Sequence, residues 1–223
     1  MTINIMKEIN YEQLRAGFLK YTRKAFGILP EMDNPRILDV GCGNGILTME
    51  LAALTEGEII GVDIDQPALE ELTEKAKKLK IEHRMKAIHC SMFELDFPDE
   101  DFNIIWAEGA IAPIGFERGL KEWGQILKKG GFMVLHDDLE GKEYKLKIIP
   151  ECGYKLVDLF QLPDDAWWVE YYEPLEKRIN ELRAIYGKNP TFLNAIKRFQ
   201  DEINAYKTNP KRFRSIFYII KKI

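Results

Sequence analysis

Apolar residues recur along this chain in two rhythms that alternate, short unbroken runs and helical spacings of three or four. Ile37, Leu38 and Val40 read as a buried strand, broken at once by Gly41, Gly43 and Gly45. Helical spacing resumes at Ile46, Leu47, Met49, Leu51 and Leu54. A second strand is predicted over 58–63, ending in Asp63, and a helix begins at Asp65 and Pro67 with Leu69, Leu72, Ala76 and Leu79 as its buried stripe. Further strands are predicted over 85–90, 102–106, 132–135, 154–162 and 215–221, with helices over 115–127 and 141–152. Ahead of the first strand, Ile9, Leu14, Phe18, Tyr21 and Ala25 predict one amphipathic helix that ends near Gly27. Strands alternating with helices predict an α/β fold, a doubly wound and mostly parallel sheet of seven strands. Its last two strands are expected to form an antiparallel hairpin at one edge.

One long stretch exceeds what that architecture needs. Residues 163–212 separate the last two predicted strands and open on Trp167-Trp168-Val169-Glu170-Tyr171-Tyr172, a local aromatic density far above the 11% of the whole chain. Two helices follow, starting at Pro174 and Pro190, the first stopping at Gly187. Neither is long enough for a core of its own, so both are expected to pack back as a cap. The expected organisation is a single unit over 1–223, with an N-terminal helical segment over 1–30, a core over 31–162, a cap insertion over 163–212 and a last strand over 213–223. Trp168 or Tyr172 is expected to line an acceptor site beneath the cap.

The glycine turn carries the chemistry. A strand–glycine–helix junction presents backbone N–H groups at a helix N-terminus, and glycine lets a ligand lie against bare backbone. The turn alone does not separate nucleotide cofactors from one another. Asp39, two places before the first glycine, would repel a pyrophosphate but suits a ligand carrying an ammonium group. Ile46 stands where a dinucleotide fingerprint wants its final glycine. Asp63, about 20 residues beyond the turn at a strand's C-terminal end, is placed to take both hydroxyls of a ribose.

Asp39-Val40-Gly41-Cys42-Gly43-Asn44-Gly45 together with Gly61-Val62-Asp63 resembles the first two motifs of class I S-adenosylmethionine-dependent methyltransferases. The resemblance runs from about Arg36 to Tyr154 and is nearest the small-molecule branch that includes the ubiquinone and menaquinone biosynthesis enzymes. It implies a Rossmann-like fold, S-adenosyl-L-methionine as cofactor, and methyl transfer to a small-molecule acceptor by in-line displacement, releasing S-adenosylhomocysteine. It places Asp39, Gly41, Cys42, Gly43, Asn44, Asp63 and Ile64 on the cofactor. It also places Ser91, where the family has an acid facing the adenine amino group, and its neighbour Met92 beside the ring. The N-terminal helix would help cover the cofactor, with Tyr11 or Tyr21 near the methionine end. Two other classes stay open beside it, a NAD-linked oxidoreductase and a non-catalytic cofactor-binding subunit.

Methyl transfer needs a base only when the nucleophile arrives protonated. Glu108, Asp137, Asp138 and His136 lie at strand ends, where open parallel sheets hold their ligands. Glu108 and Asp137 are the expected catalytic pair, and a structural role weighs slightly more for His136. Composition narrows the field further. The 223 residues carry a net charge of −4, so no global field favours nucleic acid, and there is no apolar run of membrane-spanning length. Cys42, Cys90 and Cys152 lack paired spacing, and His83, His89 and His136 lack metal spacing, so no metal is expected. A cytoplasmic setting is the expectation; oligomeric state is not legible.

Overall fold

The computed structural model describes residues 4–223, so the first three residues of the N-terminal segment lie outside the described residues. Helices α1 (Ile5–Glu8), α2 (Tyr11–Ala16) and α3 (Leu19–Phe26) precede the sheet. The continuous helix predicted there is broken twice, because Asn10 takes a left-handed φ of 55° and Gly17 closes α2. The alternating part runs β1 (Ile37–Val40), α4 (Ile46–Leu54), β2 (Ile59–Asp63), α5 (Gln66–Leu79), β3 (Met85–His89), β4 (Phe102–Glu108), α6 (Phe116–Ile126), β5 (Leu127–Asp138), α7 (Lys142–Glu151) and β6 (Tyr154–Gln161). A π-helical turn, Trp168–Tyr172, then leads into α8 (Glu173–Tyr186), α9 (Pro190–Thr208) and β7 (Ser215–Lys222). Among the described residues no helix is long and apolar enough to cross a membrane.

The seven strands form one sheet in the order β3-β2-β1-β4-β5-β7-β6. The first five are parallel, and β7 lies antiparallel between β5 and β6. Strand β1 pairs with both β2 and β4, so the strand order reverses there and a crevice opens beyond its C-terminal end. Two expected boundaries move. Strand β4 runs on to Glu108, and Leu127–Gly131, read as a helix end, joins β5 instead. Pairing with β4 extends the chain there, which a lysine–glycine signal does not reveal.

Side chains alternate between the two faces of a strand. One face buries Ile37, Ile104, Trp106, Phe132 and Val134 beneath α1–α5, the π-helical turn, α8 and α9. The other buries Leu38, Val40, Ile105, Ala107, Met133 and Leu135 against α6 and α7. The alternation sets Asp39, Glu108 and His136 on the first face and Asp137 on the second. That division decides which of the expected residues meet.

The insertion joins the N-terminal helices. Arg178 Nε donates to Glu8 O at 2.8 Å, Phe18 lies 4.5 Å from Trp167, Tyr11 meets Tyr171 edge-on at 6.4 Å, and Lys20 pairs with Glu170. Trp167 Nε1 also donates to Ser215 Oγ at 3.2 Å, and Ser215 faces Asp138 across the sheet. These contacts place the joint helical layer at the C-terminal end of β5, on the crevice side.

Candidate active site

The glycine turn is shaped by three positive φ angles, at Gly41, Gly43 and Gly45. A Cβ on Gly45 would stand 2.2 Å from Leu72 of α5, so the turn packs tightly on its inner side. A Cβ on Gly43 would meet nothing within 4 Å, so its outer side is open to a ligand. The N–H groups of Gly41 and Cys42 donate to Val62 O at 2.9 and 3.1 Å, which anchors the turn to the end of β2. Cys42 is buried there, and burial pushes its thiol pKa up, so it is inert packing. The Asn44 side chain reaches Glu12 and Glu71, while Lys75 holds Asn44 O at 2.7 Å and Glu12 at 2.5 Å, clipping α2 over the turn.

Three carboxylates surround this turn. Asp63 accepts N–H bonds from Gly43 at 2.8 Å and from Asp65 at 2.9 Å, one on each oxygen. A carboxylate has about four acceptor positions, so both oxygens keep capacity for a ligand. Asp39 is wholly buried. Its Oδ2 accepts from Thr48 at 2.6 Å, and its Oδ1 has no partner. Burial raises its pKa to about 7 against the lowering effect of Thr48, and the charges of Glu108 and Asp63 add to the rise. Glu108 accepts from Thr22 at 2.8 Å and Trp106 at 2.9 Å, both on Oε1, which leaves Oε2 free of those bonds. Burial raises the Glu108 pKa too, and the two hydrogen bonds oppose it. A buried carboxylate oxygen without a donor, beside two further acids, matches a cationic ligand group and opposes a pyrophosphate.

His136 stands directly across from Glu108, one strand over. It is 7% exposed and stacks on Phe217 at 4.4 Å with the rings 7° apart, yet its Nε2 is buried without a partner. Burial first, and then the charge of Arg15, lower its pKa to about 3, so the ring is neutral at ordinary pH. The unsatisfied ring nitrogen belongs to a side chain on the same face of the sheet as Glu108, its register partner on the neighbouring strand.

Asp137 is not part of this group. The pleat turns it to the opposite face, where Lys145 of α7 pairs with it at 2.7 Å inside the protein. A buried carboxylate paired with a buried ammonium on that face stands apart from Asp39, Glu108 and His136, so the structure does not bring the expected pair of Glu108 and Asp137 together. Lys145 also reaches Asp138 at 3.0 Å. Trp168 faces outward, stacking on Tyr206 at 5.5 Å and lining a shallow depression of about 880 Å³ beside α8. Tyr172 is buried among Trp167, Tyr206 and Phe213 in the heart of the cap. The inward ring is Trp167, since neighbours on a helical turn point in different directions.

On the far side of Asp63, Ile64 is 70% exposed and Phe93 44% exposed, with Met92 half-buried between them and α6. Ser91 Oγ accepts from Phe93 N at 3.3 Å, and Trp123 Nε1 donates to Met92 O at 3.0 Å, which fixes this loop. Of the two candidate tyrosines, Tyr11 packs on Tyr171 and Tyr21 tilts against Phe18. Thr22 and Arg15 carry no sequence signal of their own. They sit on helices whose exposed polar positions look alike, and only docking onto the sheet singles them out.

A doubly wound sheet whose switch point gathers carboxylates around an open glycine turn suits a nucleoside cofactor that carries a positive charge. Residues 37–131 match a family model described as a methyltransferase domain. The 27-O-demethylrifamycin SV methyltransferase of Amycolatopsis mediterranei is 25% identical over 194 residues, covering 84% of this chain and 70% of that protein. A sterol 24-C-methyltransferase of Candida albicans is 30% identical over 107 residues, 47% of this chain and 28% of that enzyme. Among solved structures, an S-adenosylmethionine-dependent methyltransferase from Geobacter sulfurreducens, in complex with S-adenosylhomocysteine, has a TM-score of 0.72. It is 15% identical and covers 92% of this chain and 91% of that one. Residues 37–131 thus carry a methyltransferase domain, and the chain is similar over most of its length to methyltransferases, an S-adenosylmethionine-dependent one among them. Neither comparison supports a NAD-linked oxidoreductase.

Proposed function

We propose that this enzyme methylates a hydroxyl or amine of a small, partly apolar acceptor, with His136 taking the proton of the nucleophile. The observation that carries this reading is the buried, unpartnered Nε2 of His136 beside Glu108, on the same face as Asp39. The relative named as a 27-O-demethylrifamycin SV methyltransferase supports a hydroxyl acceptor.

For the cofactor, Asp39 Oδ1 faces the methionine ammonium, Gly41, Cys42, Gly43 and Asn44 give it a backbone floor, and Asp63 takes the ribose hydroxyls. Ile64 and Met92 flank the adenine, and the Ser91 hydroxyl or its backbone meets the ring edge in place of an acid. Held there, S-adenosylmethionine supplies a methyl group on a sulfonium centre that is already electrophilic. The protein's task is alignment and dryness. Glu108, locked by Thr22 and Trp106, borders both the methionine end and the acceptor. His136 accepts the proton of the O–H or N–H as the new bond to carbon forms and the carbon–sulfur bond breaks, so the positive charge passes from the sulfonium to the imidazole ring. The joint layer of α1–α3 and residues 163–212 closes over the acceptor, with Trp167 as its inner wall.

The test has two parts. S-adenosylmethionine at a hundred times its Kd should stabilise the protein by about 2.7 kcal/mol, and NAD should not stabilise it. S-adenosylhomocysteine release should then be measured across a panel of small alcohols, phenols, amines, thiols and alkenes. Stabilisation by NAD alone would sink the cofactor reading. Turnover confined to carbon or sulfur acceptors would sink the role of His136.

A further inference from the structure

The cap carries a guanidinium that the protein itself does not use. Arg15 of α2 is half-buried, with its Cζ 5.5 Å from the Phe18 ring centre and 5.7 Å from that of Trp167. Neighbouring cations on the N-terminal helices are engaged, Lys20 with Glu170 and Arg23 with Glu50. Arg15 forms no ion pair and donates no side-chain hydrogen bond among the described residues. Trp167, which the guanidinium overlies, donates to Ser215 Oγ at 3.2 Å, and Ser215 pairs with Asp138 at the C-terminal end of β5, so Arg15 lies at the end of the sheet that carries His136.

We propose that the acceptor is an acid, whose carboxylate or phosphate docks on Arg15 while its apolar body lies against Trp167 and its nucleophile reaches His136. This rests on the methyl-transfer reading above and names the substrate class for it. An aromatic-walled cap can also hold a cationic acceptor. That possibility is removed by the protein itself, because Phe18 and Trp167 already hold a cation, and a second positive charge beside it would be repelled. A guanidinium presents a planar fork that fits a carboxylate or phosphate with two parallel hydrogen bonds. Half-buried against two rings and without an ion pair or side-chain hydrogen bond among the described residues, it has that capacity to spare. Docking an anion would also cancel one of the two influences that hold His136 at low basicity, so the correct substrate would sharpen its own base.

The experiment uses the full chain saturated with S-adenosylhomocysteine, titrated with benzoate, phenyl phosphate and benzamide as probes of matched size, with tryptophan fluorescence as readout. Wild type should bind at least one anion tenfold or more tightly than benzamide. Arg15→Met, which keeps the apolar stem, should abolish that preference while leaving benzamide and S-adenosylhomocysteine affinities unchanged. Preference for benzoate or for phenyl phosphate identifies which anion the site is built for. Anions binding no better than benzamide at millimolar concentration would overturn the proposal. So would Arg15→Met weakening S-adenosylhomocysteine and not the anions, which would assign Arg15 to the methionine carboxylate. Both results leave methyl transfer standing, whereas failure of the wild type to bind S-adenosylhomocysteine at all removes the underlying reading.

Discussion

The two halves of this site are built on opposite principles. Around the glycine turn, the groups that matter sit within one βαβ unit, and short-range geometry holds them. Gly43 N–H bonds Asp63, Thr48 bonds Asp39, and Val62 O anchors the turn. The proposed acceptor half is assembled from distant stretches. Arg15 and Thr22 come from the N-terminal helices, Glu108 and His136 from two strand ends, and Trp167 from the insertion. The first half needs local backbone rules, whereas the second needs the whole tertiary fold. Binding of a shared cofactor belongs to the first, and choice of acceptor to the second, as expected when function is grafted on a common fold.

Variants on either side should therefore fail differently. The largest effect is expected from His136→Gln, which removes the proposed base and keeps a polar side chain. Its kcat on an identified hydroxyl acceptor should fall about 10²–10⁴-fold, with cofactor affinity unchanged. A matching loss of cofactor binding by calorimetry would erase the separation between the halves. Asp63→Ala tests the other side, since losing hydrogen bonds to a charged group costs about 1.5–3 kcal/mol. Cofactor Kd should then rise about ten- to a hundredfold. Acceptor KM at saturating cofactor should stay put.

A smaller effect is expected from pH. The free protein keeps Asp39 protonated up to about pH 7, because burial raises its pKa. A methionine ammonium favours the ionised form, so binding below that pH releases a proton, and affinity should fall as pH drops, by up to about tenfold per unit. Asp39→Asn should flatten the profile. The same shift has a sign for stability. A carboxyl whose folded pKa is raised costs stability as pH climbs from its ordinary value toward 7, so the free Asn variant should melt no lower than wild type at pH 8. A lower melting point there would show that the Asp39 carboxylate is satisfied in the free protein.

The smallest effect is expected at the clip between halves. Glu12→Gln breaks the partly exposed pair with Lys75, which is worth about 0.2–1 kcal/mol. Cofactor affinity should change severalfold at most, and the difference should shrink in high salt. A large, salt-independent loss would make Glu12 a direct ligand of the cofactor.

Apolar periodicity and turn residues along the chain were enough to determine the alternation of strands and helices, the seven-stranded sheet with its antiparallel hairpin, and the glycine turn with Asp39 and Asp63. The strands, the helices and the glycine turn rest on spacing within about 30 residues, where side-chain period and backbone sterics leave few alternatives, and the pairing of the last two strands follows from the few topologies such an alternation allows. Tertiary structure alone decided which strand-end acids face the crevice. Asp137 and His136 are adjacent in sequence, yet the pleat sends one to Lys145 and the other toward Glu108. It also decided that Trp167 rather than Trp168 turns inward, and that Arg15 meets it across more than 150 residues of chain. No local pattern encodes such a meeting, because it depends on how two helical segments dock on one face of a sheet.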